Sequence, residues 1–470
     1  MIWWAGEVAC DRGQKWPGAL PEKCEAVFWQ EARQIKEHRR PAGSGNGVTK
    51  SRHRDFKTAA RGGLAAAMAI TSALVLASTP SATAASGPAI APDIAALLTP
   101  QQAATYRNYL TGRADFERQS QTYWTLVDER REHRKRKHVN HQSFTADDYV
   151  LEQPPKYAGP GLAPDIAAIV TQAKPAEPDK PMANLHDYLD SARSQFNFEP
   201  QRTSEHEFKR RYAADALAAG LSKDQVIRVY ALETGGRGTY DMQAGIDPDT
   251  KQGRPISSAM GYAQLLAANS VNELVKHGEH FIARLEATGQ SAARDKARIL
   301  RAMLQSARSV PNEWRDHQKF AQTPAGQGIH TINLDADIGP WLQVLKLKGL
   351  LETAAKEAGR TSLTGAELEL MNLAGPRTGL EMLQEIGRTV PTSNFFAEAA
   401  YYRNSVVREK TGAQLLATLD ERMQAGLKKP GSIDFALAFD EVAAGLPARQ
   451  ARATRDPDPD FIAQFLNSNR

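Results

Sequence analysis

The chain has 470 residues, 41% hydrophobic and 24% charged, and its 59 Lys+Arg against 54 Asp+Glu leave a formal net charge of +5. That balance excludes a disordered polyelectrolyte, a collagen and a polytopic membrane protein, while the length admits about three units of roughly 150 residues with at least one sizeable core. Both cysteines, Cys10 and Cys24, stand near the N-terminus. A disulfide-stapled fold and a Cys-ligated metal site are therefore excluded for the rest.

In chain order, the first predicted element is an export signal. Lys50, Arg52, Arg54, Lys57 and Arg61 run into the uncharged stretch 62–77, which is followed by Ala82-Thr83-Ala84. A basic start, an apolar stretch and a small-residue site form a Sec-type signal peptide over residues 48–84, with cleavage expected after Ala84 and a periplasmic destination. The apolar stretch is shorter than the about 20 residues that cross a bilayer; the alternative is an uncleaved inner-membrane anchor facing the periplasm. Residues 1–47 are too long for the basic region of such a signal and read as a mis-annotated extension, with Val48 as the expected start.

Residues 85–200, rich in Ala, Pro, Gln and charge, read as a basic, largely disordered or loosely helical tether. Within it Gly87-Pro88-Ala89-Ile90-Ala91-Pro92-Asp93-Ile94-Ala95-Ala96 returns as Gly159-Pro160-Gly161-Leu162-Ala163-Pro164-Asp165-Ile166-Ala167-Ala168. Two copies are too few for a solenoid. Between them Arg130, Arg131, Arg134, Lys135, Arg136 and Lys137 follow the apolar Tyr123, Trp124, Leu126 and Val127. In an exported protein this run is expected to be a solvated helix face or a contact for anionic envelope polymers, lipid or cell-wall proteins, and not for nucleic acid. Residues 149–155 read as extended and limited by Pro154 and Pro155, and Pro175, Pro178 and Pro181 continue the linker character.

Beyond Thr203 the pattern changes to amphipathic helices. One is predicted to start at Ser222, with Gln225 three residues on and Leu221 with Val226 as a hydrophobic staple, and to stop at Gly235-Gly236. Its apolar face is Val226, Val229, Tyr230 and Leu232, and Glu233 falls in its last turn. A carboxyl there faces the negative end of the helix dipole among apolar neighbours, and both effects favour its protonated form. That is the property required of a general acid near neutral pH.

Glu233-Thr234, then Ser257-Ser258-Ala259-Met260-Gly261-Tyr262-Ala263-Gln264-Leu265, then Met371-Asn372-Leu373-Ala374-Gly375-Pro376 form an ordered set. The set resembles the lytic transglycosylases of the lysozyme superfamily, related to goose-type lysozyme, which cut peptidoglycan. The last segment lies on a predicted helix capped by Thr364 and Glu367, with Leu363 and Leu368 as its staple. Asp337-Ile338-Gly339-Pro340-Trp341 resembles the family helix that carries an aromatic just inside its start, and Pro340 suits a first helical turn. The resemblance spans residues 201–410. Met371 stands where the family usually has Tyr, and a helical insertion over residues 271–320 accounts for the long span between the second and third motifs.

The resemblance implies a mainly α, lysozyme-like domain and cleavage of the β-1,4 MurNAc–GlcNAc bond. One glutamate, Glu233, would protonate the leaving oxygen; the substrate's own N-acetyl group would stabilise the oxocarbenium-like centre. The same carboxylate would then take a proton from the sugar 6-hydroxyl, closing a 1,6-anhydro ring. The resemblance also implies that Gln264 and the Gly261-Tyr262 backbone position the N-acetyl group, with Thr234, Ser258 and Asn372 in the same cleft. Gln264 bridging helices, Gly261 permitting a close crossing and Asn372 as a satisfied buried amide are the structural alternatives.

Asp241, Asp247 or Asp249 as a second carboxylate would instead give a hydrolytic muramidase. A binding scaffold that keeps the cleft without turnover is the third reading. The missing family tyrosine would leave Tyr262, Tyr401 or Tyr402 to supply a hydroxyl. No metal or cofactor is expected: Asp247-Pro248-Asp249 lacks the terminal acid of a calcium loop, and His277, His280 and His317 do not form a metal-binding helix motif. Residues 411–470, with Phe435, Ala436, Ala438, Phe439 and Val442 after the break at Pro430-Gly431, read as a helical accessory segment.

Overall fold

Short polar residues set the helix starts of this chain. Ser204, Ser222, Thr364 and Thr411 each accept the backbone N–H of the residue three positions on. At Ser222, Thr364 and Thr411 the side chain of Gln225, Glu367 or Gln414 accepts the cap residue's own N–H in return. These reciprocal bonds satisfy donors that a helix start otherwise leaves orphaned. Both predicted boxes, at Ser222 and Thr364, form, and the staple residues Leu221, Val226, Leu363 and Leu368 are all buried.

A computed structural model describes residues 88–173 and 182–445. The expected extension 1–47, the signal 48–84, Cys10, Cys24, Gly87, and the linker residues Pro175, Pro178 and Pro181 lie outside the described residues, as do residues 446–470. Among the described residues the protein is mainly helical and has no strand, only isolated bridges. No described helix is long and apolar enough to cross a membrane.

Two units divide the chain. The smaller contains α1 (Pro92–Ala95), residues 100–117 of α2 (Pro100–Val139) and α3 (Pro164–Ala173). Its core is Ile94, Tyr106, Tyr109 and Ile166, with Tyr157, Leu162 and Val170 packed against them. Ile94 and Ile166 are the same position of the two repeat copies, so the duplicated sequence supplies one apolar anchor twice. Pro92 and Pro164 each open a helix, and the Asp165 carboxylate accepts from Gln102 at 2.8 Å.

The larger unit holds residues 118–156 and 182–445. After the rest of α2 come α4 (Leu185–Phe196), α5 (Glu205–Ala218) and α6 (Lys223–Glu233). Then follow α7 (Ala267–Ala287), α8 (Ser291–Ala307), α9 (Trp314–Phe320), α10 (Pro324–His330) and α11 (Gly339–Ala358). The last are α12 (Gly365–Ala374), α13 (Pro376–Leu383), α14 (Glu385–Thr389), α15 (Glu398–Arg403), α16 (Gly412–Leu427) and α17 (Pro430–Ala443).

The structure departs from the sequence expectation in three places. First, residues 118–156 and 182–200 fold into the larger unit and are no tether. Trp124 and Val127 are buried, and Arg134, 2% exposed, donates to Glu381 (2.6 Å) and to the carbonyls of Asp148 and Asn394 (2.8 Å each). Sparse apolar residues at helical spacing suffice when a buried arginine ties the helix down through three acceptors. Arg131 and Lys137 bond Asp128 and Asp148, while Lys135 and Arg136 stay exposed, so only part of the basic run remains a solvated face. Second, α6 is buried all round, Gln225 through Glu233, because α5, α12, α16 and α17 surround it; the amphipathic face expected for it is the pattern of a surface helix. Third, α16 and α17 are not accessory: Phe435, Ala436 and Phe439 belong to the same core as Val226, Val229 and Tyr230. The segment 271–320 is helical as expected, its α7 and α8 sharing a core of Phe281, Leu285, Leu300 and Leu304.

Candidate functional site

Glu233 is the last residue of α6 and is 7% exposed. The turn behind it is closed by glycines at positive φ, Gly235 (64°) and Gly236 (70°). A Cβ on Gly236 would sit 2.2 Å from the Gly426 carbonyl oxygen, and the Gly236 carbonyl accepts from Ser432 N–H at 3.2 Å. The α16–α17 junction thus fixes where the helix ends, and a side chain there has no room.

Facing Glu233 on α12 is Glu369, 0% exposed, a residue the motif reading passed over. The two carboxyls act on each other electrostatically and share the Asn372 amide. Burial, the larger cause, raises the Glu233 carboxyl above the usual glutamate range, and the bond from Glu369 partly offsets it. Burial and then the neighbouring Glu233 charge push Glu369 well above that range. Asn372, one turn along α12 from Glu369, places Nδ2 3.4 Å from Glu233 Oε1 and 3.4 Å from each Glu369 carboxyl oxygen. Lys346 of α11 acts on Glu369 and on Glu273 of α7, and burial lowers its own pKa. The signal for Glu369 was available: an acid inside the apolar run Leu368-Glu369-Leu370-Met371, three residues before Asn372, shares that residue's helix face.

The other sequence candidates are engaged by neighbouring parts of the fold. Thr234, 5% exposed, donates its hydroxyl back to the Tyr230 carbonyl at 2.7 Å. Ser258 Oγ accepts the Ala267 N–H at the start of α7. Its carbonyl accepts from His330 Nε2 at 2.7 Å, while His330 Nδ1 meets Ser270 Oγ at 2.8 Å. Burial pushes that imidazole down to about 4, so it stays neutral as a strut beneath the 257–265 loop.

Gly261 (φ 78°) and Gln264 (φ 42°) form a tight turn, and Gln264 Nε2 donates to the Gly261 carbonyl at 2.9 Å. A Cβ on Gly261 would lie 2.9 Å from Gln343 Nε2, and Gln343 Oε1 accepts the Ala263 N–H, so the glycine admits a side chain of α11. Tyr262 is 1% exposed; its hydroxyl donates to Glu205 at 2.6 Å inside a ring cluster of Phe208, Tyr212, Tyr230 and Phe435. It is a core residue, and the Tyr401 hydroxyl accepts the Glu409 N–H while Tyr402 packs on Trp124. Met371 fills the core beside Val226 and Tyr230. Trp341 lies against His280 (5.9 Å) and beneath the Arg284 guanidinium (4.7 Å) of α7.

The aspartates considered as second carboxylates are held elsewhere: Asp241 by Arg202 and Thr239, Asp249 by Arg237. Asp247 caps its own turn by accepting the N–H groups of Asp249 and Thr250, the geometry of a polar loop. Among the described residues no group of three His, Cys, Asp or Glu side chains is placed to hold a metal ion.

What this site can do chemically follows from its parts. A buried glutamic acid whose pKa is raised by burial can give its proton to a substrate oxygen and retrieve one afterwards. Comparison of the chain with protein-family models, with characterised proteins and with solved structures found no match.

Proposed function

We propose that the protein is a lysozyme-like peptidoglycan lytic transglycosylase with Glu233 as acid and then base. The observation that carries this is a meeting of residues far apart in the chain: Glu233 and Asn372, paired by the family resemblance, come within 3.4 Å at a buried helix end. Glu233 protonates the oxygen of the β-1,4 MurNAc–GlcNAc bond, the N-acetyl group of the substrate stabilises the oxocarbenium-like centre, and the Glu233 carboxylate then deprotonates the 6-hydroxyl. The product is a 1,6-anhydro sugar, and no water, metal or cofactor enters the reaction.

Geometry favours this single-acid route over two-carboxylate hydrolysis. Glycosidases of the second kind hold their carboxyls about 5 Å or more apart, on opposite sides of the sugar. Glu369 and Glu233 share the Asn372 amide nitrogen at 3.4 Å, so an amide, and not a sugar ring, stands between them. The substrate in this reading is the glycan strand of peptidoglycan, reached by Sec export to the periplasm, and the exposed Arg136, beside the Lys135–Glu132 pair, is offered to an anionic envelope or cell-wall partner.

Mass spectrometry of the products released from sacculi tests the proposal. Anhydro-muropeptides from the wild-type protein, falling at least about 10³-fold in Glu233→Gln, are the expected result. Reducing-end products would make the protein a hydrolytic muramidase. Binding to sacculi with no release by either protein would leave only an envelope scaffold.

A further inference from the structure

We propose that Glu369 is a positioning residue that keeps its own proton throughout and donates it as a hydrogen bond to Glu233, holding the acid and receiving its anion whenever the reactive proton leaves. The inference rests on the reading of Glu233 as acid and base.

Proton counting on the geometry leads to it. An ionised carboxylate has no donor, and two buried carboxyls that share one Asn372 nitrogen at 3.4 Å would repel each other as two anions, so the pair is most stable with at least one proton between them. The Asn372 amide has two N–H bonds for three carboxyl oxygens at 3.4 Å and cannot satisfy two anions. Glu369, fully enclosed, is the costlier place for a charge; Glu233 keeps 7% of its surface. The groups facing Glu369 from each neighbouring element agree. From α6 comes the carboxyl of Glu233 itself, and α11 brings the cation Lys346, which is shared with Glu273 of α7 beside Lys276. On the remaining sides, α13 and α16 meet α12 with apolar Met382, Leu419 and Met423.

The proton inventory closes without a further reactant. When the Glu233 O–H bond breaks, its proton goes to the glycosidic oxygen and the electron pair stays on the carboxylate. The hydrogen bond from the Glu369 hydroxyl to the Glu233 carboxylate strengthens as that charge develops, acting as a preorganised donor in a dry site. The proton from the 6-hydroxyl later returns to Glu233, and Glu369 ends as it began.

Two variants and two readouts test this. Glu369→Gln keeps a neutral donor of the same shape, whereas Glu369→Leu removes it. The infrared spectrum of the wild-type protein at pH 7 should contain a protonated-carboxyl band that Glu369→Gln diminishes. An unchanged band in that variant overturns the proposal, whatever the enzymatic activity. In anhydro-product release, Glu369→Gln should stay within about tenfold of wild type, while Glu369→Leu should fall about a hundredfold with its basic limb moved to higher pH. If folded Glu369→Gln is as inactive as Glu233→Gln, the Glu369 charge is needed and the proposal fails. If the wild-type protein releases no anhydro product, the transglycosylase reading fails while the infrared result still decides the hydrogen bond.

Discussion

Two groups of acids, one half-buried between α5 and α17 and one buried between α6 and α12, answer the cost of leaving water in opposite ways. In the first, Asp434 and Glu441 meet three cations: His206 (2.8 and 3.0 Å to the two acids), Lys209 (2.6 Å to Asp434) and Arg210 (2.6 Å to Glu441). Burial alone would raise Asp434, and its bonds to His206 and Lys209 overrule it, taking the carboxyl down to about 2. In the second, Glu233 and Glu369 meet each other and an amide, and both carboxyls rise. Acids paired with cations hold a fold together; acids paired with acids store a proton. The difference separates a structural ion cluster from a candidate reactive site without reference to any motif.

The largest expected effect breaks the paired group. Arg210→Met removes one of the partners that hold Glu441, whose side chain is 5% exposed, and should cost about 1–3 kcal/mol in denaturant unfolding. The unpaired group should respond with the opposite sign. Because burial raises Glu369 in the fold, the folded protein keeps a proton that the unfolded chain releases above the ordinary glutamate range. Stability from this group is fullest below that range and declines as pH rises toward the folded value, by at most about 1.4 kcal/mol per pH unit. Glu369→Gln should therefore flatten the decline and match or exceed wild type in thermal melts at pH 8; equal slopes would place the proton elsewhere.

Acid titration should discriminate the groups from the other side, since the stabilisation from Asp434 is present above the usual aspartate range and lost as pH falls toward about 2. The smallest effect is at the start of α6: Ser222→Ala removes the cap of the Glu233 helix and should cost about 1 kcal/mol without altering the pH dependence of either group.

Local signals carried much of this architecture. Capping boxes at Ser222 and Thr364, their staples, and the stop at Gly235-Gly236 involve residues within a few positions of each other, and all form. What could not be read locally is partnership. Residues 118–156 looked like a tether because Arg134 gains its acceptors from Asn394 and Glu381, far along the chain. Thr234, Ser258 and Gln264 satisfied the motif by residue type, but their side chains bond neighbouring backbone. Glu369 carried a legible cue in its spacing to Asn372, which the motif, centred on the asparagine, drew attention away from.

The closure of the turn behind Glu233 has a consequence for the order of synthesis. Gly236 is locked by the Gly426 carbonyl and the Ser432 amide, which leave the ribosome long after α6 does. A nascent chain can wind α6 early, since its cap is local, yet the acid at its end acquires its setting only when α17 arrives. The setting of Glu233 is thus gained late in synthesis, and a fragment halted before Ser432 carries Glu233 without the wall that holds it.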